Sequence, residues 1–229
     1  GRLAAGVAHE VGNPLTALAG YVERLQAGDL EPPDTAEFLD LMEAELRRMD
    51  GTIRALLDYS RRKREPVGAV DLADVVRRAA NLVKPQKKMR DVDVRIRIPD
   101  DLPAVAAEEN RLSQVFVNLL LNSADAMDGR GEVCIHAQVT TKQGALHGEA
   151  LPSFVQIDVL DSGPGVAAEI RDKVFDPFFT TKEVGRGTGL GLSICQSILE
   201  GMEGTIVLLK PVAGRGAVFR IVLSIWADA

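Results

Sequence analysis

The chain has 229 residues, 46% of them apolar, and a formal net charge of −6. That acidic balance argues against a nucleic-acid binder, which carries a basic surplus. No apolar run reaches the ~18 residues of a membrane span, no secretory signal is visible, and Cys134 and Cys195 lack metal-ligand spacing, so they read as small buried hydrophobes in a reducing compartment.

Residues 1–64 read as two helices, and the chain opens inside the first, which predicts a piece of a longer protein. In that helix Ala4, Ala8, Val11, Leu15, Leu18, Val22 and Leu25 recur in steps of four and three. In the second, Leu39, Met42, Leu46, Met49, Ile53 and Leu56 keep the same rhythm. This is the seam of a coiled coil or bundle. Between them "GDLEPPD" stops the first helix at Gly28 and forbids continuation at Pro32 and Pro33. Asp34 and Glu37 resemble a capping box for the second helix. So short a connection predicts antiparallel neighbours. Two helices bury little by themselves, and extra apolar positions such as Leu41 and Leu57 point to pairing with a second copy. The alternative is packing against the rest of the same chain.

"SRRKREPVG" is a basic, proline-terminated junction, and the domain boundary is set at 65/66. Beyond it, 72–84 reads as a helix and 92–98 as a half-buried strand, apolar and charged residues alternating. Residues 110–127 form a strongly apolar helix. Strands follow at 133–139 and 154–160, joined by the polar loop "TTKQGALHGEALPS". A helix at 188–199 and strands at 205–209 and 218–225 complete the chain. Helices and strands interleave without regular βαβ repeats, which predicts an α+β sandwich with helices on one face of a mixed sheet.

Three segments carry chemistry. In "DSGPGV", Asp161 ends an apolar strand beside a glycine turn. A buried carboxylate there can accept a hydrogen bond from an exocyclic amine while backbone approaches a flat ligand. "GRGTGLGLSI" places four glycines before a helix, as a phosphate cradle does. "NLLLNSADAM" sets Asn118 and Asn122 on one helix face. Two amides on an apolar helix need partners, and an amide oxygen suits Mg²⁺ held by phosphates. Each segment has a plainer reading: a common Asp-Ser-Gly turn, an ordinary glycine loop, a pair of satisfied core amides.

In this order the segments resemble the Bergerat ATP-binding fold of sensor histidine kinases, heat-shock ATPase chaperones, type II topoisomerases and mismatch-repair ATPases, over roughly residues 70–226. "NSADAM" looks like the Asn box, "DSGPG" like the first glycine box and "GTGLGLSI" like the second. The resemblance implies that Asn122 binds Mg²⁺, with Asn118 and Asp125 beside it on the nucleotide. Asp161 would read the adenine amino group, with Gly163 and Gly165 shaping that wall. Gly187, Thr188, Gly189, Leu190 and Gly191 would line the phosphates in a lid. "FDPFFTTK" is similar to the kinases' phenylalanine box, with Phe178 at the lid base and Thr181 and Lys182 near phosphate. For Phe175, Phe178 and Phe179 the plainer reading is ordinary core. Ala217 departs from the pattern, standing where many relatives have a hydroxyl residue.

"AHEVGNPLTAL" resembles the phospho-acceptor box of sensor histidine kinases, in particular nitrogen-regulation and dicarboxylate-sensing ones. His9 is then the acceptor. It lies two residues from seam position Val11, about 200° around the helix, and so is expected to face solvent. By resemblance Nε2 attacks, and Glu10 accepts a hydrogen bond from Nδ1–H. Pro14 cannot donate to the Glu10 carbonyl and predicts a bend there, helped by Gly12. Asn13, on the exposed face of His9, would orient water for a phosphatase reaction. Hydrolysing relatives carry a water-activating glutamate where this chain has Asn118, and an amide is no general base. The implied protein is a homodimeric histidine kinase core using ATP and Mg²⁺, the cytoplasmic portion of a sensor that a membrane can anchor upstream, with a response regulator as partner, no nucleic acid and no membrane contact by this stretch itself. Its fold class is α+β: a helical hairpin, four helices in the dimer, then the sandwich. Rivals from other classes are a nucleotide-gated ATPase clamp and a scaffold switched by nucleotide.

Overall fold

The structure is a computed structural model that describes residues 2–28, 32–60, 66–141, 153–182, 187–210 and 216–227. It divides into two compact units. One holds the N-terminal helices and Asp176–Leu190; the other runs to Phe175 and resumes at Gly191.

In the first unit α1 spans Arg2–Ala27 and α2 spans Pro32–Ser60. Gly28 ends α1 in the left-handed region at φ 74°, as a C-terminal glycine does. The capping-box expectation is corrected. α2 already begins at Pro32, and Asp34 lies inside its first turn. Proline is suited to an opening turn, where its missing N–H has no helical partner to lose. The helices pack against each other, Tyr21 and Phe38 meeting edge to face with centroids 5.5 Å apart. α1 runs unbroken through Pro14, and the Thr16 hydroxyl donates back to the Gly12 carbonyl at 3.0 Å. Such a bond competes for a helical carbonyl and favours bending.

The seam residues divide into two sets. Leu18, Leu25, Met42 and Met49 are half-buried. Leu15, Val22, Leu39, Leu46 and Ile53 remain between 37% and 55% exposed. The exposed set recurs every seven residues on each helix, so among the described residues one stripe per helix stays unfilled.

The second unit opens with β1 (Gly68–Val70) and α3 (Leu72–Val83). Asp71 caps α3, its carboxylate accepting from the Asp74 N–H at 3.1 Å. Then follow a 3₁₀ turn at Lys87–Met89, β2 (Asp91–Arg97), β3 (Val105–Ala107), α4 (Glu109–Ala126) and β4 (Arg130–Thr141). β5 is Ser153–Asp161, α5 Gly191–Glu200, β6 Thr205–Leu208 and β7 Val218–Ser224. The main sheet has the order β2-β4-β5-β7-β6; β2 and β4 are parallel and the other pairs antiparallel. β1 and β3 form a separate antiparallel pair. Residues 142–152, most of the expected polar loop, lie outside the described residues.

One face of the sheet is buried. Val133, Ile135, Val155, Ile157, Ile221 and Leu223 pack beneath Val75, Val76, Leu112, Phe116 and Leu120 of the helices, all fully buried. Each such side chain contributes about 1.5–3 kcal/mol. The expected α+β sandwich is therefore present. Two short strands, β1 and β3, went unread, because three-residue strands are too short to show alternation. Cys195 is buried as expected, but Cys134 is only half-buried.

Candidate functional site

In the second unit the site begins at the end of β5. Its ladder with β7 runs to Leu160 opposite Val218, and the Asp161 N–H then donates to the Ala217 carbonyl at 3.1 Å. Asp161 is 7% exposed. Its Oδ1 accepts from the N–H of Gly163 at 2.9 Å and of Ala217 at 3.0 Å. Ser123, buried on α4, hydrogen-bonds to the same carboxyl. Burial raises the Asp161 pKa above its ordinary 3.8, against the opposing pull of the Ala217 and Gly163 amides and Ser123.

The turn after Asp161 depends on glycine at two points. Gly165 sits at φ 77°, where a side chain is strained. A Cβ on Gly216 would lie 2.2 Å from Asp161 Oδ1 and 2.4 Å from its carbonyl oxygen. The Arg171 guanidinium donates to the Val166 carbonyl from both Nε and Nη2 at 3.0 Å and so holds the far end of this turn.

α4 supplies the amides. Asn118 Nδ2 lies 3.5 Å from the Gly191 carbonyl, and a Cβ on Gly191 would lie 3.4 Å from Asn122 Nδ2. Both asparagines thus face the start of α5. Asn118 also hydrogen-bonds the Cys195 thiol, whose pKa burial pushes up to about 12. That thiol donates to the Val115 carbonyl at 3.7 Å. The Asn118 amide is therefore engaged in packing α4 on α5. Asp125, a turn beyond Asn122, bridges Lys88 of the 3₁₀ turn at 3.1 Å.

Residues 176–182 and 187–190 belong to the first unit. Phe178 has φ 69°, unusual for a bulky residue, and Gly189 has φ 63°. The Phe178 N–H donates to the Gly189 carbonyl at 3.0 Å, and a Cβ on Gly189 would lie 2.4 Å from the Phe178 carbonyl carbon. These two positions clasp the segment by its backbone. Gly187 lies against Lys182 and Thr180. Thr181 is exposed, Leu190 buried, and Thr188 Oγ1 accepts weakly from the Leu190 N–H at 3.4 Å. The core reading of the phenylalanines is corrected: Phe175, Phe178 and Phe179 are half-buried, and only Phe175 shows a ring contact among the described residues, edge to face with Phe219. The expected helix at 188–199 begins later, at Gly191, because the positive φ of Gly189 interrupts it.

His9, Glu10 and Asn13 lie on α1. Asn13 is exposed; the side chains of His9 and Glu10 lie outside the described residues. Sequence reasoning missed Ser123, Arg171 and Gly216. Ser123 lies inside the "NSADAM" stretch with nothing local to mark it, and the contact that requires Gly216 spans 55 positions of chain, from 161 to 216. The Ala217 departure is resolved locally, since both of its backbone groups hold Asp161.

Residues 107–226 match the family model described as histidine kinase-, DNA gyrase B-, and HSP90-like ATPase, and residues 1–65 match that of the His Kinase A (phospho-acceptor) domain. The chain is similar to the sensor histidine kinase ZraS of Salmonella typhi, 34% identical over 231 residues that cover 99% of this chain and 46% of ZraS. It spans about half the length of such relatives. Among solved structures it is similar to histidine kinase ThkA in complex with response regulator protein TrrA, with TM-score 0.72 and 26% identity over 99% of this chain and 62% of that one. It is also similar to full-length ShkA in complex with AMPPNP, with TM-score 0.62 and 25% identity over 98% of this chain and 46% of that one.

Proposed function

We infer the activity from one premise: the chain belongs to the histidine kinase-, DNA gyrase B-, and HSP90-like ATPase family, and with its phospho-acceptor domain it makes the catalytic core of a sensor histidine kinase. Its reaction is ATP-dependent phosphorylation of His9, then transfer of the phosphoryl group to an aspartate of a response regulator. The carrying observation is that Ser123 ties the buried Asp161 to the helix bearing Asn118 and Asn122. One wall for a base and one for phosphates are thereby fixed together. The AMPPNP bound to ShkA and the response regulator bound to ThkA support the substrate and the partner.

Asp161 accepts from the adenine amino group through Oδ2, since its backbone donors both go to Oδ1. Gly163 and Gly165 let backbone approach the base and Gly191 the phosphates; in the first unit, Thr181, Lys182, Gly187, Thr188, Gly189 and Leu190 are assigned to the phosphates by the resemblance of their motifs. Among the described residues no three His, Cys, Asp or Glu side chains cluster to hold a metal. The donor set beside α5 instead fits Mg²⁺ through the Asn122 amide oxygen, completed by phosphate and water. Bound Mg²⁺ would neutralise charge on the phosphate oxygens.

Nε2 of neutral His9 attacks the γ-phosphorus in line, the bond to the ADP oxygen breaks, and ADP leaves. Glu10 accepts from Nδ1–H, fixing the tautomer and offsetting the charge that develops on the ring. Asn118 offers no base for water, so the phosphoryl group is kept for His9. Asn13 orients water in a separate phosphatase reaction on the regulator. Residues 1–65 form the dimerisation and phosphotransfer domain and 66–229 the ATP-binding domain. The substrate sets the activity in the cytoplasm; no helix among the described residues is long and apolar enough to cross a membrane.

Incubation with γ-labelled ATP and Mg²⁺ tests this reading. Acid-labile, base-stable protein label that disappears in His9→Ala is expected. Free phosphate without protein label would point instead to an ATPase clamp, and nucleotide binding with neither product to a scaffold. Asn13→Ala is expected to keep the label and lose phosphatase activity on the phosphorylated regulator; an unchanged phosphatase rate would sink the Asn13 assignment.

A further inference from the structure

In the second unit, away from Asp161, the C-terminal half of α3, the 3₁₀ turn and the edge strand β2 enclose a groove of about 820 Å³. Its floor is apolar. Val94 and Ile96 pair with Val133 and Ile135 of β4 and share their face of the sheet. The β4 residues are fully buried, whereas Val92, Val94 and Ile96 are half-exposed. The helix layer therefore stops short of the sheet edge.

The rim is basic. Lys84, Lys87 and Arg90 are exposed and, among the described residues, pair with no carboxylate. The other charges lining the groove are already matched: Arg77 bridges Asp74 at 3.1 Å, and Asp93 bridges Arg95 at 2.9 Å. Three uncompensated cations thus surround an apolar floor in a chain of net charge −6. The third feature is backbone. Among the described residues β2 pairs with β4 alone, so alternate N–H and C=O groups along its outer edge have no ladder partner there.

We propose that this groove receives an extended acidic segment of a partner polypeptide. The segment adds a strand to the free edge of β2, sets alternate apolar side chains beside Val92, Val94 and Ile96, and continues past the Asp91 end of β2 with carboxylates against Lys84, Lys87 and Arg90. An anionic lipid would match the rim and part of the floor but would leave the strand edge unpaired. A small anion would use the rim alone. The edge therefore selects a polypeptide. This inference is independent of the kinase reading, since none of these residues belongs to the ATP site.

The test is fluorescence anisotropy of the full chain with a labelled synthetic peptide of alternating threonine and valine flanked at both ends by three glutamates. Binding is expected, weakening with salt and falling by about tenfold or more in Lys84→Glu/Lys87→Glu/Arg90→Glu. Hydrogen exchange should slow at the amides of β2 in the complex. The triple glutamine variant, which keeps the side-chain length without the charge, replaces the glutamate variant if that chain fails to melt cooperatively. Unchanged affinity in the folded triple variant would overturn the proposal, as would equal binding of the same peptide with lysines in place of the glutamates or protection that avoids β2. Binding to phosphatidylglycerol vesicles without binding to the peptide would also overturn it and make a membrane the occupant.

Discussion

Asp161 has its place in the fold at a cost. A carboxyl whose pKa is raised by burial holds its proton more tightly folded than unfolded. The unfolded chain ionises near the ordinary value of 3.8 and the folded chain at a higher pH, so stability falls as pH rises through that window and stays lowered above it. Asp161→Asn removes the cost and keeps an oxygen for the Gly163 and Ala217 N–H groups. It also turns Oδ2 into an amide donor facing the adenine donor. The expected outcome is a nucleotide-free chain that melts higher than the parent at pH 7, the advantage shrinking toward pH 4, with affinity for a non-hydrolysable ATP analogue weakened by about tenfold or more. Calorimetric melts across pH and a binding titration check both halves. The carboxylate was legible in the sequence because it ends an apolar strand before a glycine turn. Its partner Ser123 was not, since it looks unremarkable in its own neighbourhood, and Ala217 stood out only for the hydroxyl it lacks, whereas it is its backbone that holds Asp161.

Among the elements, the segment entering β7 bears most on the site. It crosses the end of β5 so closely that Gly216 has no room for a Cβ: the nearest atoms are the Asp161 carboxylate at 2.2 Å and its backbone oxygen at 2.4 Å. Gly216→Ala is expected to destabilise the chain by about 1–3 kcal/mol and to weaken nucleotide binding with it. Gly68→Ala, where nothing lies within 4 Å, should change neither. Denaturant titration of the two variants side by side checks the contrast. The long elements were readable from periodicity: α3, α4 and β5 lie within a residue or so of the expected limits. Boundaries failed where local geometry outweighed pattern. Apolar spacing carried α5 back to Thr188, but the left-handed Gly189 delays it to Gly191. Asp34 had the look of a cap, yet the prolines before it were already helical.

For the whole molecule, the two units differ in how complete they are. The sheet unit buries its apolar face within one chain except along β2, and its architecture followed from interleaved helix and strand patterns. The hairpin leaves Leu15, Val22, Leu39, Leu46 and Ile53 exposed at heptad spacing, and the sequence seam could not say which of its residues would be filled from inside. Under the proposed dimerisation a second copy of the chain covers that stripe, each side chain gaining about 1.5–3 kcal/mol on full burial. Leu39→Glu/Leu46→Glu is expected to sediment as a monomer while keeping its affinity for the ATP analogue. Such pairing would also make stability a matter of mass action. An interface shared between copies strengthens with protein concentration, and a core closed within one chain does not. Heating should therefore separate two melting events, an earlier one that climbs as the sample is concentrated and a later one that stays put. The hairpin would then assemble only where enough chains are gathered, whatever the state of the nucleotide site.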